Sequence, residues 1–178
     1  MPFLIATLAC LGAICALDLI LTLGVIKRLR EHTELLSARS PADIPVGAEV
    51  AEFAAVTTDG EPLSRESMKE ETVVAFFSPT CGPCKEKLPR FVDFARGLAG
   101  GRESALAVVV GDVEEGAPFI TELNPVVRVV VESGDGPLGS AFKVAAFPTL
   151  VRVAPDGAGK LVVTDNRIEL GHPAAAAA

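Results

Sequence analysis

Cys81 and Cys84 stand three residues apart around Gly82-Pro83, just after the apolar run TVVAFFS at 72–78. No other feature constrains the fold as strongly. The run is β-branched and aromatic and too short for a helix, which predicts a strand buried on both faces. From Gly82 onward, Leu88, Phe91, Val92, Ala95 and Leu98 keep helical spacing. The cysteine pair therefore falls where a buried strand hands over to a helix N-terminus. Unpaired N–H groups and the positive end of the helix favour a thiolate there, and cysteines in such C-x-x-C settings are reactive for that reason. Gly82 and Pro83 suit the tight first turn, where proline sacrifices no helical hydrogen bond. Cys84 follows on nearly the same helical face, so the two sulfurs can approach bonding distance. The pattern fits a dithiol/disulfide switch: Cys81 attacks a disulfide and Cys84 resolves the mixed disulfide.

Two plainer uses of the pair compete with this one. A zinc site needs four ligands, but Cys10 and Cys15 lie in an apolar segment and His32 and His172 stand alone. No metal and no cofactor beyond the redox disulfide is expected. A static structural disulfide is the other, and the strand–CGPC–helix placement argues against it.

Around this centre the chain alternates strand and helix patterns. EFAAVTTDGEPLS predicts two short strands about an Asp59-Gly60 turn. ALAVVVGD (105–112) and VRVVVES (127–133) read as buried strands. EEGAPFITEL reads as a short helix in which Pro118 is expected to occupy the first turn or break it. GPLGSAFKV gives a weak helix, and PTLVRVA pairs with KLVVTD through an Asp156-Gly157 turn. The whole predicts an α/β domain with a mixed central sheet over 45–166.

The N-terminal end is different in kind. Phe3 to Ile26 is 24 residues with one charge, Asp18. As a helix it would reach about 36 Å against a hydrocarbon core of roughly 30 Å. It lacks the basic start and small-residue cleavage site of a signal peptide, so residues 3–26 are read as a single-pass anchor in the plasma membrane. Asp18 within it is read as a contact for a partner helix, and Cys10 and Cys15 as packing residues. Residues 27–44 form a charged stalk and linker, broken by Pro41 and Pro45, and 167–178 an alanine-rich, frayed tail. The first 40 residues carry four basic and three acidic side chains; the remainder carries twelve and twenty. An acidic domain without Trp or Tyr excludes nucleic acid as a partner.

With these residues in view, the chain resembles the thioredoxin superfamily, and within it the membrane-anchored TlpA/ResA-like thiol:disulfide oxidoreductases. CGPCK (81–85), Pro89 five residues after Cys84, FPTLVRVAPDGAGKLV (147–163) and VGAEVAEFAAVTTDGEPLS (46–64) carry the likeness. The anchor and SPTC are similar to MauD-like proteins. The resemblance implies a thioredoxin-like fold, a cis peptide bond before Pro148, and a peptide site bordered by Ala146, Phe147 and Thr80. Gly82, Pro83 and Lys85 would support the cysteines. It implies protein thiols and disulfides as substrates, a thiol electron donor or acceptor, and a domain outside the cytoplasm. Lys27, Arg28, Arg30 and Arg39 after the anchor point the other way by the positive-inside rule, and the resemblance is preferred.

The chain also departs from the family pattern. Thr80 replaces the usual aromatic residue, and Ala75 stands where a buried acid is common. Glu86, Asp112 and Glu114 are the nearest acids in sequence that can serve the Cys84 proton. Lys85 and Lys87 are placed to act on Cys81, with Lys87 read mainly as a solvated surface charge. The closing segment lacks the amphipathic pattern of the family's last helix, which predicts one thinly covered sheet face. Two other functions remain open at this level. A peroxiredoxin-like thiol peroxidase is suggested by Ser78 three residues before Cys81, although Val74 holds that pattern's proline position. A non-enzymatic anchored adaptor is the third.

Overall fold

The computed structural model describes residues 44–171, with Gly12 alone from the N-terminal part. The expectations for residues 3–26, for Asp18, Cys10, Cys15, His32 and His172, and for most of the stalk fall outside the described residues. No helix among the described residues is long and apolar enough to cross a membrane.

Five strands form the central sheet: β3 (Thr72–Phe77), β4 (Ala105–Val110), β5 (Arg128–Glu132), β6 (Thr149–Pro155) and β7 (Leu161–Asp165). Their order is β5-β4-β3-β6-β7. β3, β4 and β5 are mutually parallel, with Val73 opposite Ala105 and Leu106 opposite Arg128. β6 runs antiparallel to β3, with Phe76 opposite Thr149, and β7 antiparallel to β6. Every residue of β3 and β4 is buried, as their unbroken apolar runs require of strands covered on both faces. β6 instead alternates: Thr149, Val151 and Val153 are buried while Leu150, Arg152 and Ala154 are half-exposed.

Helix α1 (Gly82–Arg96) and helix α2 (Val113–Leu123) lie over one face, packing Leu88, Phe91, Val92, Ala95, Phe119 and Leu123 onto the strands. The short α3 (Pro137–Phe142) and the N-terminal segment close the other with Leu138, Phe142, Ile44, Val50, Phe53 and Leu63. Glu132, at the end of β5, accepts hydrogen bonds from the N–H groups of Leu138 at 3.0 Å and Gly139 at 2.7 Å. It thereby satisfies the open amides of α3. Gly136 must lack a Cβ, which would sit 2.3 Å from the Glu132 carboxyl carbon.

Both sheet edges are partly paired. Gly47 donates to the Val163 carbonyl at 2.7 Å and Val50 to that of Leu161 at 2.9 Å, lining β7 with the entering chain. On the opposite side, the hairpin of β1 (Ala54–Val56) and β2 (Pro62–Ser64) sends the Thr58 N–H to the Val129 carbonyl at 2.8 Å. Arg102 clamps that turn, binding Asp59 with its guanidinium and the carbonyls of Asn124 and Val127 with its Nε. Covered edges remove the unpaired amides that otherwise template strand addition.

Three local expectations need correction. Pro118 neither occupies the first turn of α2 nor breaks it; the helix starts at Val113 and runs through it. Its missing donor falls on the exposed second turn, where the Glu114 carbonyl meets solvent. Ile44, assigned to the linker, is buried in the core. Residues 167–171, assigned to the tail, are packed: Ile168 and Leu170 lie half-buried against the α1–α2 side of the sheet, where no further helix follows β7 among the described residues.

Candidate active site

The C-terminal end of β3 carries Ser78, Pro79, Thr80 and Cys81 into α1. The turn is closed by the Cys81 N–H on the Ser78 carbonyl at 3.1 Å. Cys81 is the N-cap of α1, with extended backbone at φ −86°, and its carbonyl accepts the first helical hydrogen bond from Lys85 at 3.3 Å. Its sulfur therefore stands at the positive end of a 15-residue helix. Gly82 and Pro83 fill the first two helical positions and are exposed. Pro89 lies inside the helix, which continues through it; the carbonyl left without a partner belongs to Lys85, an exposed residue.

The two thiols occupy unlike environments. Cys81 is partly exposed, whereas Cys84 is wholly buried, and both are free cysteines. Burial pushes the Cys84 thiol up to about 12, and its neighbour Cys81 adds to the rise. Against these act the Ser78 N–H, which donates to Cys84 Sγ at 3.5 Å, and the charge of Lys87. The cause is desolvation, which penalises the charged form of any buried group. Lys87, read in sequence as a surface charge beside Cys81, thus acts on Cys84.

Opposite the cysteines lies the loop before β6. The Phe147–Pro148 peptide bond is cis. Cys81 Sγ donates to the Phe147 carbonyl at 3.5 Å, bringing two segments 66 residues apart onto one atom. Ala146 and Thr80 are exposed beside this contact; Phe147 and Pro148 are half-buried. Thr80, Gly82, Pro83, Lys85, Ala146, Phe147 and Pro148, singled out in sequence beside the two cysteines, lie on the β3–α1 turn, at the start of α1 or on the loop before β6. Glu86, Asp112 and Glu114 are exposed, with Asp112 serving as the N-cap of α2. Ala75 sits in the same apolar cluster as Cys84, so no carboxylate enters the core at that point.

One contact escaped the sequence reading. Ser78 was notable there only as a match to a peroxidase pattern, yet its amide reaches Cys84 and its hydroxyl meets that of Thr80 at 3.2 Å. The signal was its place in the strand-to-helix turn, where backbone amides point inward at the next helical residue.

No profile of a known protein family matches the chain, and no curated protein is similar to it. Solved structures are. The thioredoxin domain of a thiol-disulfide oxidoreductase from Bacteroides vulgatus superposes with a TM-score of 0.54 at 18% identity, covering 70% of this chain and 90% of that one. A thiol:disulfide interchange protein from Bacteroides sp. gives a TM-score of 0.54 at 17% identity over 70% of this chain and 84% of its own. Residues 44–171 have the thioredoxin-like fold of these thiol-disulfide oxidoreductases.

Proposed function

We propose that the chain is a thiol:disulfide oxidoreductase that exchanges the Cys81–Cys84 dithiol with disulfides of protein substrates, held at a membrane by residues 3–26. The observation that carries this reading is the pairing of unlike thiols. A partly exposed Cys81 at a helix N-terminus contacts the carbonyl before a cis-proline, above a buried Cys84. Cys81 attacks an accessible substrate disulfide and holds one half as a mixed disulfide. Cys84 then attacks Cys81 Sγ, closes the internal disulfide and releases the substrate thiol. Pro148 shapes the groove, with Ala146, Phe147 and Thr80 bordering the bound peptide, while Gly82, Pro83 and Lys85 frame the cysteines. The Gly-Pro dipeptide favours a reductant, as thioredoxin's potential of about −270 mV illustrates. A thiol electron donor then returns the disulfide to the dithiol, and the anchored domain faces away from the cytoplasm.

The test uses a Cys84→Ser variant with Cys10 and Cys15 also replaced, so that Cys81 alone can react. In intact cells this variant is expected to accumulate mixed disulfides with protein clients, and an impermeant reductant should release them. Release only after lysis would put the domain on the cytoplasmic side. No covalent adducts on either side would remove the oxidoreductase reading and leave an adaptor.

A further inference from the structure

We propose that Ser78 and Thr80 are positioning residues for the resolving cysteine: their paired hydroxyls hold the Ser78 N–H on Cys84 Sγ, so that this amide receives the thiolate as it forms. The inference rests on the oxidoreductase reading above and names how its second step is made possible.

Resolution of the mixed disulfide needs Cys84 to lose its proton. Its surroundings oppose this, since the sulfur is fully buried and burial pushes the thiol up to about 12. Nor do the neighbouring elements bring an acid or base inward. The cluster around Cys84 is apolar throughout, from Ala75 and Phe77 on β3 to Phe119 on α2, with Cys81 and Phe147 at its margin. Besides the Cys81 thiol, the polar influences on the sulfur are the Ser78 N–H at 3.5 Å and the charge of Lys87 one turn along α1. A donor aimed at a sulfur favours its anion, and an N–H bond to an anion is about twice as strong as one to a neutral acceptor.

The amide is useful only if the loop that carries it keeps its aim, and the loop is fixed at three points. The Cys81 N–H donates to the Ser78 carbonyl at 3.1 Å. The Ser78 and Thr80 hydroxyls hydrogen-bond each other at 3.2 Å. Between them Pro79 is buried against Gly111, where an added Cβ would come within 3.2 Å of its ring. Thr80, where the family commonly has an aromatic residue, thus supplies the partner hydroxyl of Ser78. In the reaction the Cys84 proton passes to water, and the thiolate, held by the amide, attacks Cys81 Sγ. The Cys81–substrate S–S bond breaks as the Cys81–Cys84 bond forms. The departing sulfur takes the electron pair and a proton from water, so the substrate disulfide is reduced and the dithiol oxidised.

The experiment follows both thiols of the full chain in detergent, with Cys10 and Cys15 replaced by alanine, reacting with 5,5′-dithiobis(2-nitrobenzoate). The first thionitrobenzoate released reports attack by Cys81, and the second reports resolution by Cys84. In Ser78→Ala and Thr80→Val the second-to-first rate ratio is expected to fall about tenfold near neutral pH, with the midpoint of the second phase raised by about one pH unit. Thr80→Ser, which keeps the hydroxyl, should restore both. An unchanged ratio and midpoint overturn the inference, as does a proportional loss of both phases, which a merely structural role would give. Failure of the parent reading looks different: by mass, the parental chain would end with thionitrobenzoate still attached at both Cys81 and Cys84, in place of an internal Cys81–Cys84 disulfide.

Discussion

Val74 and Phe76 of β3 point to one face of the sheet, and Val73, Ala75 and Phe77 to the other. The two faces are closed by different means. The first is sealed by α3 and by the entering chain, with Ile44, Val50, Phe53 and Leu63 drawn from well outside the strand–helix alternation. The second carries α1 and α2, both thiols and the loop before β6, and toward β6 and β7 it is finished by Ile168 and Leu170 of an extended segment. Alternate residues of one strand thus support a purely packing layer on one side and the layer that holds the thiols on the other. A thiol can be buried on one face because the opposite face supplies packing that does not involve it.

The sharpest way to break this comparison is to cut one aromatic from each face. Phe76 packs against Phe142 with ring centroids 5.3 Å apart, and Phe77 against Phe91 at 5.4 Å. Both are fully buried, so Phe76→Ala and Phe77→Ala are each expected to cost about 3–5 kcal/mol in denaturant unfolding. Their effects on chemistry should part company. Phe77→Ala opens a void in the cluster that holds Cys84 and should change the second phase of thiol release. Phe76→Ala should leave that phase alone. Equal disturbance of the second phase by both variants would mean that the faces are coupled through the strand.

A pH series sharpens the same contrast without mutation. Cys84 is raised from an ordinary 9.0 to about 12, first by burial and then by Cys81. The folded dithiol therefore keeps a proton that the unfolded chain gives up. Its contribution to stability is complete below pH 9 and is lost as pH rises toward 12, at up to about 1.4 kcal/mol per pH unit. The internal disulfide has no such proton. The stability of the dithiol minus that of the disulfide form should fall across this window, and parallel curves would show that burial is not what sets the Cys84 proton.

How much of this was legible in sequence follows from which interactions are local. TVVAFF and ALAVVV announced β3 and β4 because a strand buried on both faces leaves an unbroken apolar run. The cysteines stood out because strand, turn and helix are contiguous around them. The cis bond at Pro148 came from family likeness, since nothing local in Ala146-Phe147-Pro148 demands it. Ser78 was missed because its contribution is a backbone amide, and side-chain identity says little about where an N–H points. Lys87 is exposed, as a solvated surface charge should be, and its influence on Cys84 was missed because sequence spacing on a helix does not reveal which neighbour is buried. Pro118 went wrong for a related reason: propensity weighs a proline in a helix interior as a break, yet packing of Phe119 and Leu123 holds α2 together around it.

The smallest expected effect concerns the segment after β7. The sequence lacks an amphipathic pattern there, which predicted a thinly covered face, and the structure half-buries Ile168 and Leu170 on it while leaving Leu150 and Val162 only partly covered. Half-buried aliphatic side chains remove less apolar surface from water than the fully buried Leu88 or Leu123. Ile168→Ala and Leu170→Ala should therefore each cost about 1 kcal/mol. Because the two side chains stand on one strip of chain against one face, their effects should be close to additive unless the strip lifts off as a unit. A double variant costing no more than either single one would reveal such lifting, making the strip a latch over β6 and β7 whose loss exposes the flank of the reactive layer. Full additivity, with the denaturant dependence unchanged, would instead make these residues ordinary members of the core, and the reactive face as permanently closed as the packing one.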